Sequence, residues 1–167
     1  YIGGDNIEAG RKMAEYAAML CRDSVKTDGQ QPIVLEMTGP LEISPAVQRH
    51  KGFSEAISRN SNIEYQNVPS KWSHDDCKRI MQEWLKEGKT VDVVFCHSDL
   101  AAIGAYEAAK ELHKEHNIHF IGIDGLPGEG IDAVHNGQLS ASYIYPTHGE
   151  EVIALALRIL EGKPFER

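Results

Sequence analysis

The sequence predicts an α/β fold, a doubly wound parallel sheet covered by helices on both faces in three layers, and three features of the chain carry that expectation. Strand-length apolar runs alternate with helix-period segments, and each connection is long enough for a crossover. The runs at 91–96 and 118–123 are apolar almost throughout, as strands covered on both faces should be. Apolar runs also stop on polar groups. The clearest is Phe120-Ile-Gly-Ile-Asp124-Gly-Leu-Pro-Gly-Glu-Gly130; the run at 91–96 leads likewise into His97, Ser98 and Asp99, and the run at 33–37 into Thr38-Gly39-Pro40. That pattern delivers polar side chains to the carboxyl ends of strands, where open α/β sheets bind ligands.

Taken in order, Asp5 and Asn6 offer a cap for a first helix reaching about Arg22, with Ile7, Gly10, Ala14, Ala17, Ala18 and Cys21 at helical spacing. The stretch Asp28-Gly-Gln-Gln-Pro32 breaks the pattern before a strand at 33–37. Ser44-Pro45 then reads as a cap followed by proline at the first helical position, with Val47, Phe53 and Ile57 turned inward. A short strand at 63–68 follows. Ser73-His-Asp-Asp76 is a capping-box variant, and Cys77, Ile80, Met81, Trp84 and Leu85 fall at i, i+3, i+4, i+7 and i+8, an amphipathic helix ended by Gly88. After the strand at 91–96, Ser98-Asp99 caps an alanine-rich helix over 100–112 whose small residues suit close packing on a sheet. A strand at 118–123, a short helix at 130–135, a strand at 139–144 and a last helix at 147–161 complete the order.

At 167 residues and 41% hydrophobic, the chain is long enough for one domain with a core of its own. A net charge of -8, with scattered basic residues, gives no footprint for nucleic acid or an anionic membrane surface. No apolar stretch approaches the ~20 residues of a membrane span, and the start lacks the sections of a signal peptide. Because it opens on Tyr1 without methionine, the chain reads as a segment of a longer protein. Cys21, Cys77 and Cys96 are odd in number and far apart, which suits buried free thiols rather than a disulfide framework or a zinc ribbon. His113, His116 and His119 span a helix end and a loop, so a solvated surface is expected there rather than a metal site. Gly88-Lys89-Thr90 lacks the first glycine of a phosphate loop and precedes a strand.

The chain resembles the carboxyl-terminal lobe of type I periplasmic binding proteins, as in ribose-binding proteins and the ligand cores of lactose-repressor-like regulators. The resemblance covers nearly the whole chain. It rests on Gly4-Asp5-Asn6 with Gly10, Arg49-His-Lys-Gly52-Phe53, Ser98-Asp99-Leu-Ala-Ala-Ile-Gly104-Ala105, Gly122-Ile-Asp124-Gly125 and Asn136-Gly137-Gln-Leu139, whose order and spacing together are specific. It implies two lobes closing on a small sugar, with residues 1–145 forming one lobe and 146–167 a crossover and helix belonging to the other. The hinge would lie at Asp5 and Pro146. The last helix, without its native partner, would be free to pair with a second copy in a homodimer.

The resemblance implies a ligand-binding set of Arg49, Trp72, His97, Ser98, Asp99, Asp124 and Tyr145, with no catalytic residue, no metal and no cofactor. The chemistry agrees with it. Vicinal hydroxyls of a sugar donate together to one carboxylate such as Asp124, the guanidinium fork of Arg49 donates in a plane while staying charged, and the C–H face of a sugar packs on a ring such as Trp72. Plainer readings exist for each: Asp124 as a turn residue before Gly125, Arg49 as a surface ion-pairing residue, Trp72 as a cover for the helix start, Asp99 as a cap or an orienting group. Ser98 stands where many members have asparagine, and Tyr145 where ribose binders use glutamine, which points away from ribose.

Within this family the chain looks most like the extracytoplasmic, periplasmic sensor portions of hybrid two-component histidine kinases. A sugar transporter's solute-binding protein and a repressor's ligand core are the alternatives. From another class, a small phosphotransfer or hydrolase enzyme using Asp124 as nucleophile is weighed against it. That enzyme would need a second carboxylate two residues on, an acidic pair ending the first strand, or a G-x-S-x-G elbow, and the sequence holds none of these.

Overall fold

Helices and strands alternate along the chain as α1 (Asn6–Asp23), β1 (Ile33–Thr38), α2 (Ser44–Ile57), β2 (Glu64–Pro69), α3 (His74–Lys86), β3 (Val93–Cys96), α4 (Asp99–Glu111), β4 (His119–Asp124), α5 (Gly130–His135), β5 (Ala141–Ile144) and α6 (Gly149–Leu160), with one 3-10 turn at Glu115–Asn117. The computed structural model describes residues 3–23 and 29–164; Tyr1, Ile2 and Asp28 of the sequence analysis lie outside them. The strands form one parallel sheet in the order β2-β1-β3-β4-β5. The chain winds outward from β1 to β2, then returns and winds the other way from β3, so the order reverses between β1 and β3.

Alternation along each strand sorts side chains onto two faces. Val34, Val93, Phe95, Ile121 and Ile123 meet Ala9, Met13, Ala17 and Phe53 of α1 and α2 on one side. Leu35, Met37, Val94, Cys96 and Phe120 meet Cys77, Ile80, Met81, Trp84 and the alanines of α4 on the other. The fold is thus the three-layer, doubly wound sheet that the sequence predicts.

Glycines let the helices of each layer approach at backbone distance. A Cβ at Gly10 would stand 2.1 Å from the Arg49 carbonyl oxygen, and one at Gly52 2.0 Å from that of Ile7. On the opposite face, a Cβ at Gly104 would stand 2.2 Å from the His74 carbonyl oxygen. Ser73 and Ser98 cap α3 and α4, accepting from Asp76 N and Ala101 N. Asp5 Oδ1 accepts from Glu8 N at 2.9 Å at the start of α1. Cys77 and Cys96 are free thiols, and all three cysteines are buried.

Three local expectations need correction. Ser44 lies inside α2 rather than capping it; Ile43 holds the cap position without a side-chain bond, and its carbonyl accepts from Ala46 and Val47. Val47 is 44% exposed, because the buried stripe of α2 runs through Ala46, Arg49, Phe53 and Ile57. Ile7 is likewise 39% exposed on the outer side of α1. The last helix, α6, has no buried residue, and Val152, Ile153, Leu157, Ile159 and Leu160 along it are exposed.

Candidate functional site

Arg49 is the centre of the rim at the carboxyl ends of the strands. It belongs to the buried stripe of α2, where Phe53 and Ile57 sink into the core one and two turns further on. Nearer the rim, the same stripe carries the guanidinium over the strand ends. Its Nε donates to Asn6 Oδ1 at 2.9 Å, and Nη1 donates to the His97 carbonyl. Two rings flank it, Trp72 with a centroid 5.3 Å from Cζ and Tyr145 at 4.9 Å. Such rings stabilise a cation while leaving its N–H edge free to donate. The side chain is 5% exposed, so burial lowers its pKa, opposed mainly by the carboxylate of Asp124.

Asp124 ends β4 and faces Arg49, Oδ1 to Nη1, at 3.8 Å, close enough for charge attraction and too far for a hydrogen bond. Its carboxyl is pushed up to about 6, first by burial, with the nearby carboxylates of Asp99 and Glu129 adding to the rise and Arg49 opposing it. At φ 137° its backbone sits where glycine is at home. Trp72 is also in the left-handed region, at φ 59°. Side-chain-bearing residues held there cost of order ~1–3 kcal/mol each and cluster at ligand sites.

The other expected residues take different places. His97 is fully buried; Gly39 N donates to its Nδ1 at 3.1 Å, which leaves Nε2 to donate to Glu36 Oε1 at 2.8 Å. It therefore reaches the rim through its carbonyl, as the acceptor for Arg49. Ser98 is buried, with its hydroxyl accepting from Ala101 N at 3.3 Å. Asp99 is fully buried, with Oδ2 accepting from Gly125 N at 2.7 Å and from the Ser142 hydroxyl at 2.8 Å. Tyr145 is half-buried and donates its hydroxyl to the Gly4 carbonyl at 2.7 Å. A Cβ at Gly4 would stand 2.7 Å from the Tyr145 ring and 3.1 Å from Pro146 Cδ, so the two expected hinge segments lie side by side.

Sequence reasoning passed over the groups that hold these in place. Asn6 is buried and serves as acceptor for Arg49. Glu36 is fully buried and is paired with His97 Nε2 and with His50 Nδ1, each at 2.8 Å, and accepts from the Tyr65 hydroxyl. The signal for Glu36 was its position: a lone carboxylate inside the apolar run at 33–37 has to be partnered if that run is a covered strand. Among the described residues no group of His, Cys, Asp and Glu is arranged to hold a metal ion, and no helix is long and apolar enough to cross a membrane.

A family model described as a periplasmic binding protein domain matches residues 1–164. Among curated proteins, the ribose import binding protein of Escherichia coli (strain K12) is 27% identical over 165 residues, 98% of this chain and 53% of its own length. The ribose operon repressor of Halalkalibacterium halodurans is 27% identical over 127 residues, 74% of this chain and 37% of its own length. The chain spans about half the length of the binding proteins it matches. Among solved structures, a fructose-binding periplasmic domain of a hybrid two-component system superposes with a TM-score of 0.87 at 37% identity, covering 99% of this chain and 54% of that one.

Proposed function

The chain belongs to the periplasmic binding protein family, and from that footing we propose that it is one lobe of a two-lobed, periplasmic domain that binds a small neutral sugar without making or breaking a bond. Residues 1–145 form this lobe, and residues 146–167 cross to the other. The observation that carries the reading is Arg49 facing Asp124 at 3.8 Å between the rings of Trp72 and Tyr145. That spacing leaves the guanidinium and the carboxylate unbonded to each other, so that sugar hydroxyls can lie between them, taking a hydrogen bond from the one and giving one to the other, while the rings take the C–H faces. His97, Ser98 and Asp99 hold the rim from below. The sugar stabilises the closed arrangement of the lobes about a hinge at Asp5 and Pro146 by binding it more tightly than the open one.

The sensor portion of a two-component system is the leading role, supported by the 37% identity to such a domain. A transporter's binding protein is second, supported by the likeness to ribose import proteins over 98% of this chain. Tryptophan fluorescence of the full-length protein, titrated with D-fructose, D-ribose and a panel of other pentoses and hexoses, tests the reading. A saturable change with one sugar, lost in Asp124→Ala, is expected. A folded protein silent across the panel contradicts it.

A further inference from the structure

We propose that Asp99 is the positioning residue of this site, fixing the backbone at Asp124–Gly125 so that the Asp124 carboxylate stands opposite Arg49; this rests on the sugar-binding reading above. Asp99 opens α4, Asp124 ends β4 and Ser142 lies within β5, so a single carboxylate ties the start of α4 to the end of β4 and to β5. Its Oδ2 accepts from Gly125 N at 2.7 Å and from Ser142 Oγ at 2.8 Å. The Gly125 N–H belongs to the peptide that follows Asp124, and its orientation is set by the Asp124 ψ. Holding that N–H fixes the Asp124 ψ, at a residue whose φ of 137° is a conformation an aspartate adopts only when its surroundings impose it.

The packing around Asp99 reserves this place for a carboxylate. A Cβ at Gly130 would stand 1.8 Å from Oδ2, and one at Gly122 2.2 Å from Oδ1. Oδ1 has no hydrogen-bond partner among the described residues and is closed off from solvent, so Asp99 cannot touch a sugar. It acts through Asp124 in two ways. Its hydrogen bond sets where the Asp124 carboxylate stands, and its charge opposes ionisation of that carboxylate. The charged groups facing Asp124 are Arg49 from α2, Asp99 from α4 and Glu129 from the loop before α5.

The two effects separate experimentally. Asp99→Asn keeps an oxygen that accepts from Gly125 N and removes the charge; Asp99→Ala removes both. Carboxyl carbon NMR of the full-length protein, with the Asp124 resonance identified by its loss in Asp124→Asn, reads the Asp124 midpoint without any sugar. From about 6 in the parent, it moves to lower pH in Asp99→Asn. Calorimetry with D-fructose at pH 8 then gives an affinity within about threefold of the parent for Asp99→Asn. It gives a loss of about tenfold to a hundredfold for Asp99→Ala, the scale of one charge-assisted hydrogen bond. Should Asp99→Ala fail to fold, Ser142→Ala, which frees one arm of the anchor, weakens D-fructose in the same direction. Parental D-fructose affinity in a folded Asp99→Ala or, in its place, Ser142→Ala overturns the proposal, and an Asp124 midpoint unmoved by Asp99→Asn refutes the charge effect. An Asp124 midpoint that moves further in Asp99→Ala than in Asp99→Asn, in a protein that takes up no sugar of the panel, upholds the positioning role and sinks the sugar-binding reading instead.

Discussion

Arg49 and His50 are neighbours on α2, yet each serves a charged cluster of a different kind. His50 turns down to Glu36, whose two oxygens are taken by His97, His50 and the Tyr65 hydroxyl, so a fully buried carboxylate has its partners at hydrogen-bond distance. Arg49 turns up to Asp124, which stays 3.8 Å away, is part-exposed, sits on strained backbone and keeps a raised pKa. The lower cluster spends its hydrogen bonds on joining β1, β2, β3 and α2. The upper one anchors Arg49 to Asn6 and the His97 carbonyl but leaves the guanidinium and the Asp124 carboxylate unbonded to each other. Proteins carry strain and incompletely met polar groups at binding sites at the expense of stability, and the contrast across a single peptide bond separates a residue pair kept for the fold from one kept for a ligand.

The widest gap between the clusters is expected from Glu36→Ala. It strands buried donors of His97 and Tyr65, and should cost about 3–5 kcal/mol of stability in chemical denaturation, as breaking a buried ionic network does. Arg49→Met should do the reverse. Affinity for the sugar of the panel that the protein takes up falls about tenfold to a hundredfold, the value of hydrogen bonds to a charged group, while stability drops by only about 1–2 kcal/mol. An Arg49→Met protein that unfolds as readily as Glu36→Ala would erase the distinction. Tyr65→Phe, which removes one donor from Glu36 and nothing from the rim, should cost about 1 kcal/mol and leave the sugar affinity unchanged.

The subtlest contrast is in the pH dependence, and here the signs matter. The Asp124 carboxyl titrates near 6 in the folded protein against 3.8 as its ordinary value, so the folded state binds more protons between about pH 4 and 6. Its contribution to stability therefore declines as pH rises through that window. The His50 pKa is raised by its bond to Glu36, so that pairing stabilises fully below the ordinary histidine value and is lost as pH rises through the folded one. Sugar affinity runs the other way, growing above pH 6 as Asp124 ionises and becomes a full acceptor. Denaturation and calorimetry at pH 5, 6.5 and 8 should show stability and affinity moving in opposite directions, and parallel movement would break the comparison.

Much of this was readable in the chain, and the limits have physical causes. Helical spacing located the Cys77–Leu85 face of α3, and all five residues named on it are buried. The apolar run that stops on a carboxylate placed Asp124 at the end of β4, and the glycine after it marked the turn. Periodicity did not resolve Val47, because two adjacent stripes of α2 both carry apolar residues and the buried one was decided by the close approach at Gly10 and Gly52. His97 follows β3 toward the rim, and nothing in its neighbours announces that its ring folds back onto Glu36 from β1, 61 positions earlier in the chain. Long-range polar pairing of that kind follows from strand order, which β1 and β3 acquire only when the sheet assembles.

The most direct measurement is Asp124→Gly in the full-length protein, followed by both denaturation and D-fructose calorimetry at pH 8. Relieving a φ of 137° with glycine and removing a part-buried charge should raise stability by about 1 kcal/mol while the heat of sugar binding disappears. A variant that loses stability and still binds D-fructose as the parent does would contradict the claim that this strained carboxylate is kept for a sugar.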